Sequence, residues 1–310
     1  MVSTNALDNE EIARVARSLD QKLSQAGLAT KISIAEAGQL DYLYTRSSKP
    51  NRGAQLSSFF DPSSLAALLD LKHLDHHISG HSYFTTSSYD KAVRQRKQFS
   101  DSLEAVRKRA SLHNPLFKDL GYWMSEYCIL GDNAGEISGN KRDLGMEAAL
   151  YLARVMHMDL CFGNAAAWHW WLAMSCYDYK DGLIYVDKST STAQYHESKM
   201  LWVMGNFSRF VRPGFVRIEN KLRFNEHQGA ALKDSLLVSS FKAPSTNHVV
   251  VVAINLSRAD QWLSVADTRL SDLYICSERA EDNLRRVKAP RDHGPILLKA
   301  RSVMTLLGEL

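Results

Sequence analysis

The sequence predicts two folds in series, an α/β layer built on a parallel sheet and then an antiparallel β-sandwich. Three observations carry this. Helical and strand periodicity alternate from about residue 10 to residue 174 in four helix-then-strand units, the order that produces parallel strands with helical crossovers. Side chains capable of chemistry (Glu36, His81, Tyr83, Glu126, Trp168 and Trp170) fall at or near the C-terminal ends of those strands, where (β/α)-barrels build their sites. From Gly214 onward helical spacing nearly disappears, and short β-rich runs recur at about 8 to 12 residues, the texture of a sandwich.

The first unit has Ile12, Val15, Ala16, Leu19 and Leu23 at three-or-four spacing, so residues 10–23 read as a helix that Gly27 ends. A strand over 30–35 follows and stops at Glu36-Ala-Gly38. Helical spacing in 64–71 leads to a short strand around His77, closed by Gly80-His-Ser-Tyr83. A long polar helix over 89–111 leads to a strand over 120–125 that ends at Glu126. A helix over 143–158 leads to a strand over 166–174, and a last helix spans 197–210 before Arg212-Pro-Gly214. No G-x-G-x-x-G turn follows any strand, which favours a barrel over a doubly wound nucleotide-binding sheet. The β-rich runs are 215–218, 235–241, 248–254, 261–265, 273–276, 284–287 and 296–307, parted by turns at 243–247, 257–260 and 289–294. A division into 1–212 and 213–310 follows.

Composition removes several function classes. With 310 residues and 45% apolar content, a sizeable core is available. Net charge is only +4, and no basic block with interleaved aromatics exists, so nucleic acid is not an expected partner. The longest apolar stretches, 165–174 and 249–254, fall short of the roughly 20 residues of a membrane helix, so no membrane partner is expected. The first nine residues contain neither a basic start nor an apolar core, so no signal peptide is read in this sequence. Cys128, Cys161, Cys176 and Cys276 form no C-x-x-C and read as buried free thiols. The Asn206 and Asn255 sequons are what chance supplies. His73, His76, His77 and His81 straddle a turn and a strand without a His-Glu-x-x-His helix, and no metal site is expected. Gly80-His-Ser-Tyr-Phe84 imitates a serine nucleophile elbow but has Phe84 where the second glycine belongs.

Glu126 is the most informative residue. It follows Tyr122-Trp-Met-Ser125 and precedes Tyr127, so its carboxylate is expected at a strand end among apolar groups, rigid enough to serve as a glycosidic nucleophile. A solvated loop carboxylate is the plainer alternative. Trp168 and Trp170, two apart on a strand, are expected on one side, where a sugar's apolar face stacks; a Trp-filled core is the alternative. His81 and Tyr83 are expected to share a face and orient a neighbouring carboxylate, or to be structural polar residues.

Five motifs, Gly80-His-Ser-Tyr-Phe84, Trp123-Met-Ser-Glu-Tyr-Cys128, Trp168-His-Trp-Trp-Leu-Ala-Met-Ser175, Tyr177-Asp-Tyr-Lys-Asp-Gly-Leu183 and the segment from Leu201 to Gly214, resemble glycoside hydrolase family 30, most closely its endo-β-1,6-galactanase-like branch. The resemblance implies a (β/α)8 TIM barrel with an attached β-sandwich and retaining hydrolysis of a β-linked oligo- or polysaccharide without a cofactor. It implies Glu126 as the nucleophile after barrel strand seven, His81 and Tyr83 on strand six, Trp168 and Trp170 on strand eight as sugar-binding floor, and Glu36 lining the cleft at the end of strand five. An extracellular or periplasmic location follows from the family.

One departure qualifies this. The family's general acid/base is a glutamate in an Asn-Glu-Pro segment after strand four, and this sequence has none; its nearest string, Asn9-Glu-Glu11, opens a helix. The sequence therefore reads as barrel strands 5–8 and the sandwich, a truncated chain with the nucleophile but not the acid/base. Negligible turnover by these residues alone is expected, and an open half barrel would need a cover, such as a chain supplying the missing half. A non-catalytic carbohydrate-binding protein on the same fold is the alternative, and a fragment that does not fold stably is a third.

Overall fold

The computed structural model describes residues 7–188, 192, 194–224, 234–290 and 294–310. The chain forms two compact units, residues up to 127 with 162–170, and 128–161 with 171–310.

The first unit opens with α1 (Asn9–Gln25), whose N-terminus is closed by a reciprocal capping box between Asp8 and Glu11. Strands β1 (Ile32–Ala37), β2 (Leu74–Gly80), β3 (Gly121–Met124) and β4 (Ala167–Trp168) pair in that order, all parallel. Helices α2 (Asp41–Tyr44) and α3 (Gln55–Phe60) lie between β1 and β2 in sequence, and α4 (Tyr89–His113) lies between β2 and β3. Alternation sorts the sheet's side chains by face. Ile32, Ile34, Ile78, Tyr122 and Met124 are buried on the helix side, where Phe99 of α4 meets Tyr122 edge-on at 4.6 Å. The alternate positions are polar or aromatic: Ser33 bonds to His77 and Ser79, and the His77 ring stacks on Trp123 at 3.7 Å.

Two expectations in this unit are corrected. Residues 64–71 form turns, and the helices sit earlier, at α2 and α3. The Asp61 carboxylate accepts both the backbone N–H and the hydroxyl of Ser63, a local bond that competes with helix initiation, while Leu68 and Leu69 are still buried. The strand expected over 166–174 is two strands. Only Ala167–Trp168 joins the parallel sheet; beyond it the backbone changes partners, with Leu183 and Ile184 donating to Leu172 and Ala173.

The second unit contains α5 (Met146–Cys161), which starts where the Asp143 carboxylate accepts the Gly145 and Ala148 N–H groups. A three-stranded sheet follows, of β5 (Met174–Ser175), β6 (Ile184–Val186) and β7 (Tyr195–Glu197), and then α6 (Lys199–Ser208), shorter at its start than expected because Glu197 belongs to β7. The remaining strands are β8 (Val216–Ile218), β9 (Leu236–Lys242), β10 (His248–Asn255), β11 (Gln261–Leu263), β12 (Arg269–Cys276), β13 (Asn283–Lys288), β14 (Ile296–Leu298) and β15 (Ser302–Glu309). Six form an antiparallel sheet in the order β13-β12-β15-β10-β9-β8, and β11 pairs with β14. The single run expected over 296–307 is divided at Arg301, which has left-handed backbone (φ 47°). Part of the expected turn at 289–294 lies outside the described residues.

The central strands β9, β10 and β15 are buried on both faces, which explains their nearly unbroken apolar sequences, while the edge strands β8 and β13 stay largely exposed. Val238, Val249, Val251, Leu273, Ile275, Met304 and Leu306 share one cluster with Ile296 and Leu298 of β14. The alternate residues meet the helices: Ser239 bonds to His157 of α5, and Thr305 donates to Asn206 of α6. Asn206 and Asn255, the two sequon asparagines, are fully buried. Cys128 and Cys276 are buried thiols, whereas Cys161 and Cys176 are half-buried; all four are free.

Candidate active site

The C-terminal ends of the parallel strands form a staggered tier. His81 N–H donates to Ala37 O (2.7 Å), Ser125 N–H to Gly80 O (3.0 Å) and His169 N–H to Met124 O (2.9 Å), so the ladder runs one residue past each strand. At the end of β1, Ala35 and Glu36 both have positive φ (96° and 56°), and the register slips between Ala35 and Ala37. This irregularity aims the Glu36 side chain across the strand ends instead of along the pleat.

Glu36, His81, Tyr83, Ser125 and Glu126 meet there. The Tyr83 hydroxyl donates to Glu126 Oε1 at 3.0 Å. His81 stands between two carboxylates, its Nε2 2.9 Å from Glu36 Oε2 and its Nδ1 3.8 Å from Glu126 Oε1. Ser125 Oγ donates to the same Glu36 oxygen at 2.9 Å. Partial burial works to raise the Glu36 carboxyl, but the hydrogen bonds from His81 and Ser125 outweigh it and hold the group below the usual carboxylate range. Half of the Glu36 side chain and about a third of that of Glu126 stay open to solvent (50% and 31%). Both carboxylates are thus anchored and reachable.

An aromatic wall continues from this cluster. Tyr83 lies 5.5 Å from Tyr127, which lies 6.2 Å from both Trp168 and Trp170, and the two indoles stack at 6.2 Å with 19° between their planes. The loop bearing His81 and Tyr83 is held from beneath by Arg96 of α4, fully buried, whose guanidinium donates to the Thr85 carbonyl at 2.7 Å.

The structure therefore brings the six expected site residues into one region, with two differences of placement. Trp170 lies just beyond β4 and shares the side of Trp168 through ring stacking instead of strand alternation. His81 and Tyr83 lie in the loop after β2. Ser125 joins the site without a signal in the sequence beyond its place in the Trp123–Cys128 motif, because its partner is 89 residues away. The stack of His77 on Trp123, against whose edge His169 lies, likewise has no signal in the sequence. Burial pushes the His77 imidazole below its ordinary range, against the pull of Asp75. The histidines of the 73–81 run turn to different partners: His73 to Ser24, His76 to Phe117, His77 to Ser33 and His81 to Glu36. Among the described residues no group of three or more His, Cys, Asp or Glu is arranged to hold a metal ion.

Parallel strands with reactive side chains gathered at their C-terminal ends are the arrangement in which (β/α)-barrel enzymes build their sites. A family model described as O-Glycosyl hydrolase family 30 matches residues 3–185, and the chain belongs to that family. A curated relative, the glucuronoxylanase XynC of Bacillus subtilis, is 33% identical over 151 residues, a match covering 46% of this chain and 28% of the relative. Among solved structures, a conserved exported protein from Bacteroides fragilis is 28% identical with a TM-score of 0.78, over 97% of this chain and 60% of that one. The catalytic domain of the family 30 xylanase C of Talaromyces cellulolyticus has the same fold at 20% identity and a TM-score of 0.64, over 98% of this chain and 58% of that one. The chain thus spans less than two thirds of each of these relatives.

Proposed function

We propose that this chain carries the nucleophile half of a retaining β-glycosidase site, with Glu126 as the nucleophile. The observation that carries the reading is the Tyr83 hydroxyl donated to a solvent-reachable Glu126 beside the Trp168–Trp170 stack. In this mechanism a Glu126 oxygen bonds to the anomeric carbon as the glycosidic C–O bond breaks, and the leaving oxygen takes a proton from a general acid. Water, deprotonated by the same group, then cleaves the glycosyl ester and frees Glu126. Tyr83 holds the nucleophile by its hydrogen bond and His81 stands beside it, Glu36 lines the cleft, and Trp168 and Trp170 form the floor for a sugar face.

The acid/base in this reading lies outside these 310 residues, on a barrel half that completes β1–β4, which correspond to barrel strands five to eight. Residues 1–212 are the barrel portion and 213–310 the sandwich. Motif resemblance supports β-1,6-galactan as substrate. Glucuronoxylan is the second reading, favoured by the named activity of the Bacillus subtilis relative. A non-catalytic glycan binder is supported only by the tryptophan stack. The exported Bacteroides fragilis neighbour supports a location outside the cytoplasm, and no helix among the described residues is long and apolar enough to cross a membrane.

The test uses 2,4-dinitrophenyl 2-deoxy-2-fluoro-β-glycosides of galactose and xylobiose, whose leaving group needs no acid. The expected result is one glycosyl unit attached to Glu126 by peptide mass mapping, absent in Glu126→Gln, with negligible hydrolysis of either polysaccharide. Which glycoside labels faster decides between the substrates. Ordinary polysaccharide turnover abolished by Glu126→Ala would overturn the external acid/base and point to Glu36 in that role. Glycan binding that survives Glu126→Gln and is lost in Trp170→Ala, with no labelling, would favour the binding protein.

A further inference from the structure

Glu36 is separated from Glu126 by the His81 ring, and its contacts define what that ring presents. Glu36 is held in its ionised form, and an ionised carboxylate only accepts hydrogen bonds. Its Oε2 receives Ser125 Oγ and faces His81 Nε2, both at 2.9 Å. The proton of a neutral His81 must therefore sit on Nε2. Nδ1 is left as the atom facing Glu126 Oε1 at 3.8 Å, too far for a hydrogen bond, and Tyr83 supplies the carboxylate's donor instead. Were the tautomer reversed, Nδ1–H would point at Glu126 and draw charge from the attacking oxygen, while Nε2 would set a lone pair against Glu36.

We infer that Glu36, fixed by Ser125 and by the register slip of β1, is a positioning residue that acts through His81: it holds the ring in the Nε2–H tautomer and keeps Nδ1 unprotonated toward Glu126. The groups that face the ring are Glu36 from β1, Ser125 and Glu126 from the segment after β3, and Tyr83 from its own loop, whose ring meets His81 edge-on at 5.7 Å. His77 lies close enough to Glu36 to feel its charge, and Ser79 also bonds to Glu36. Ser125 links the anchoring to the Glu126 segment directly, because the two residues are adjacent.

The role of His81 as neighbour of a nucleophile rests on the reading of Glu126 given above; the tautomer does not. Two readouts keep them apart. In the 15N-histidine-labelled 310-residue chain, at a pH where the nitrogen shifts report a neutral ring, His81 is expected to show a protonated Nε2 and an unprotonated Nδ1. Glu36→Ala should bring in the Nδ1–H form, and Glu36→Gln, whose amide oxygen still accepts from Nε2–H, should restore the first pattern. The second readout is the rate of fluoroglycoside labelling at Glu126. Glu36→Ala should slow it by about tenfold with the inhibitor's half-saturating concentration unchanged, and Glu36→Gln should recover most of the rate. Ser125→Ala, which leaves the His81 contact in place, should give a smaller loss of the same kind. A tautomer unchanged in Glu36→Ala overturns the inference, whether or not Glu126 labels. So does a loss in Glu36→Ala that appears only in half-saturation, since that is the mark of a residue contacting the sugar. If the wild-type chain fails to label while the tautomer responds to Glu36, the positioning of His81 stands and the nucleophile assignment fails.

Discussion

Tyr83 and His81 approach the Glu126 carboxylate from one loop with different chemistry. The phenol is a neutral donor at 3.0 Å, and the imidazole is a titratable group just out of bonding range. A hydrogen bond to a charged group contributes about 1.5 to 3 kcal/mol, and about 1.4 kcal/mol is a factor of ten in rate. Tyr83→Phe is therefore expected to slow fluoroglycoside labelling of Glu126 by at least about tenfold while the protein still unfolds cooperatively with a midpoint lowered by only a few degrees, because the ring and its Tyr127 contact remain. Labelling kinetics beside a melting curve check this, and an unchanged rate would remove Tyr83 from the site. At this scale the sequence was informative where a residue's chemistry and its strand-end position coincide, as at Glu126, His81 and Tyr83. The joint contact of Glu36 with Ser125 and His81 was not legible. It depends on positive φ at Ala35 and Glu36, which neither residue type favours, and on partners 45 and 89 positions away.

The strand ends that hold these residues depend on close packing beneath them. At Gly80, a Cβ would stand 2.7 Å from Leu43 Cδ1 and 3.1 Å from its Cγ, and Leu43 of α2 is fully buried. Gly80→Ala is expected to cost about 1 to 3 kcal/mol through displacement of Leu43. Leu43→Ala alone is expected to cost about 2 to 5 kcal/mol by leaving a cavity. Because each change relieves the other, the double variant should be more stable than the sum of the two losses by at least about 0.5 kcal/mol. Urea unfolding of the four proteins measures this, and strict additivity would show that Gly80 is not where the constraint lies. Elements with long regular periodicity, α1, α4 and the strands of the six-stranded sheet, were readable because burial follows spacing. The turns at 61–70 and the change of partner after Trp168 were not. In both, a local or distant hydrogen bond decides the backbone while the apolar pattern still looks regular.

For the chain as a whole, the titratable group that most bears on acid stability among the described residues is His157, enclosed between α5 and the six-stranded sheet. Its Nδ1 lies 2.8 Å from Ser239 Oγ, and burial, with Arg217 adding to it, depresses the imidazole from 6.5 to about 4. An unfolded chain binds a proton at this residue near pH 6.5, whereas the folded chain does not until about pH 4. Between those values the unfolded state holds more protons, so stability rises with pH through the window and is lost as pH falls from 6.5 toward 4. At 1.36 kcal/mol per unit the full effect is about 3 kcal/mol, of which about 2 kcal/mol is lost between pH 7 and pH 5. Glu36, Asp61 and Asp282 have lowered carboxyl values, so their contributions are lost only at lower pH. His77, also depressed by burial, has the same sign as His157 and adds to the loss. The variant His157→Gln separates the two histidines: it keeps a hydrogen-bonding group for Ser239 and cannot titrate. Urea unfolding at pH 7 and pH 5 should show the parent losing about 2 kcal/mol more than His157→Gln. Equal losses in both proteins would mean that the folded state opens to admit the proton at His157, and that the acid sensitivity of the chain resides elsewhere.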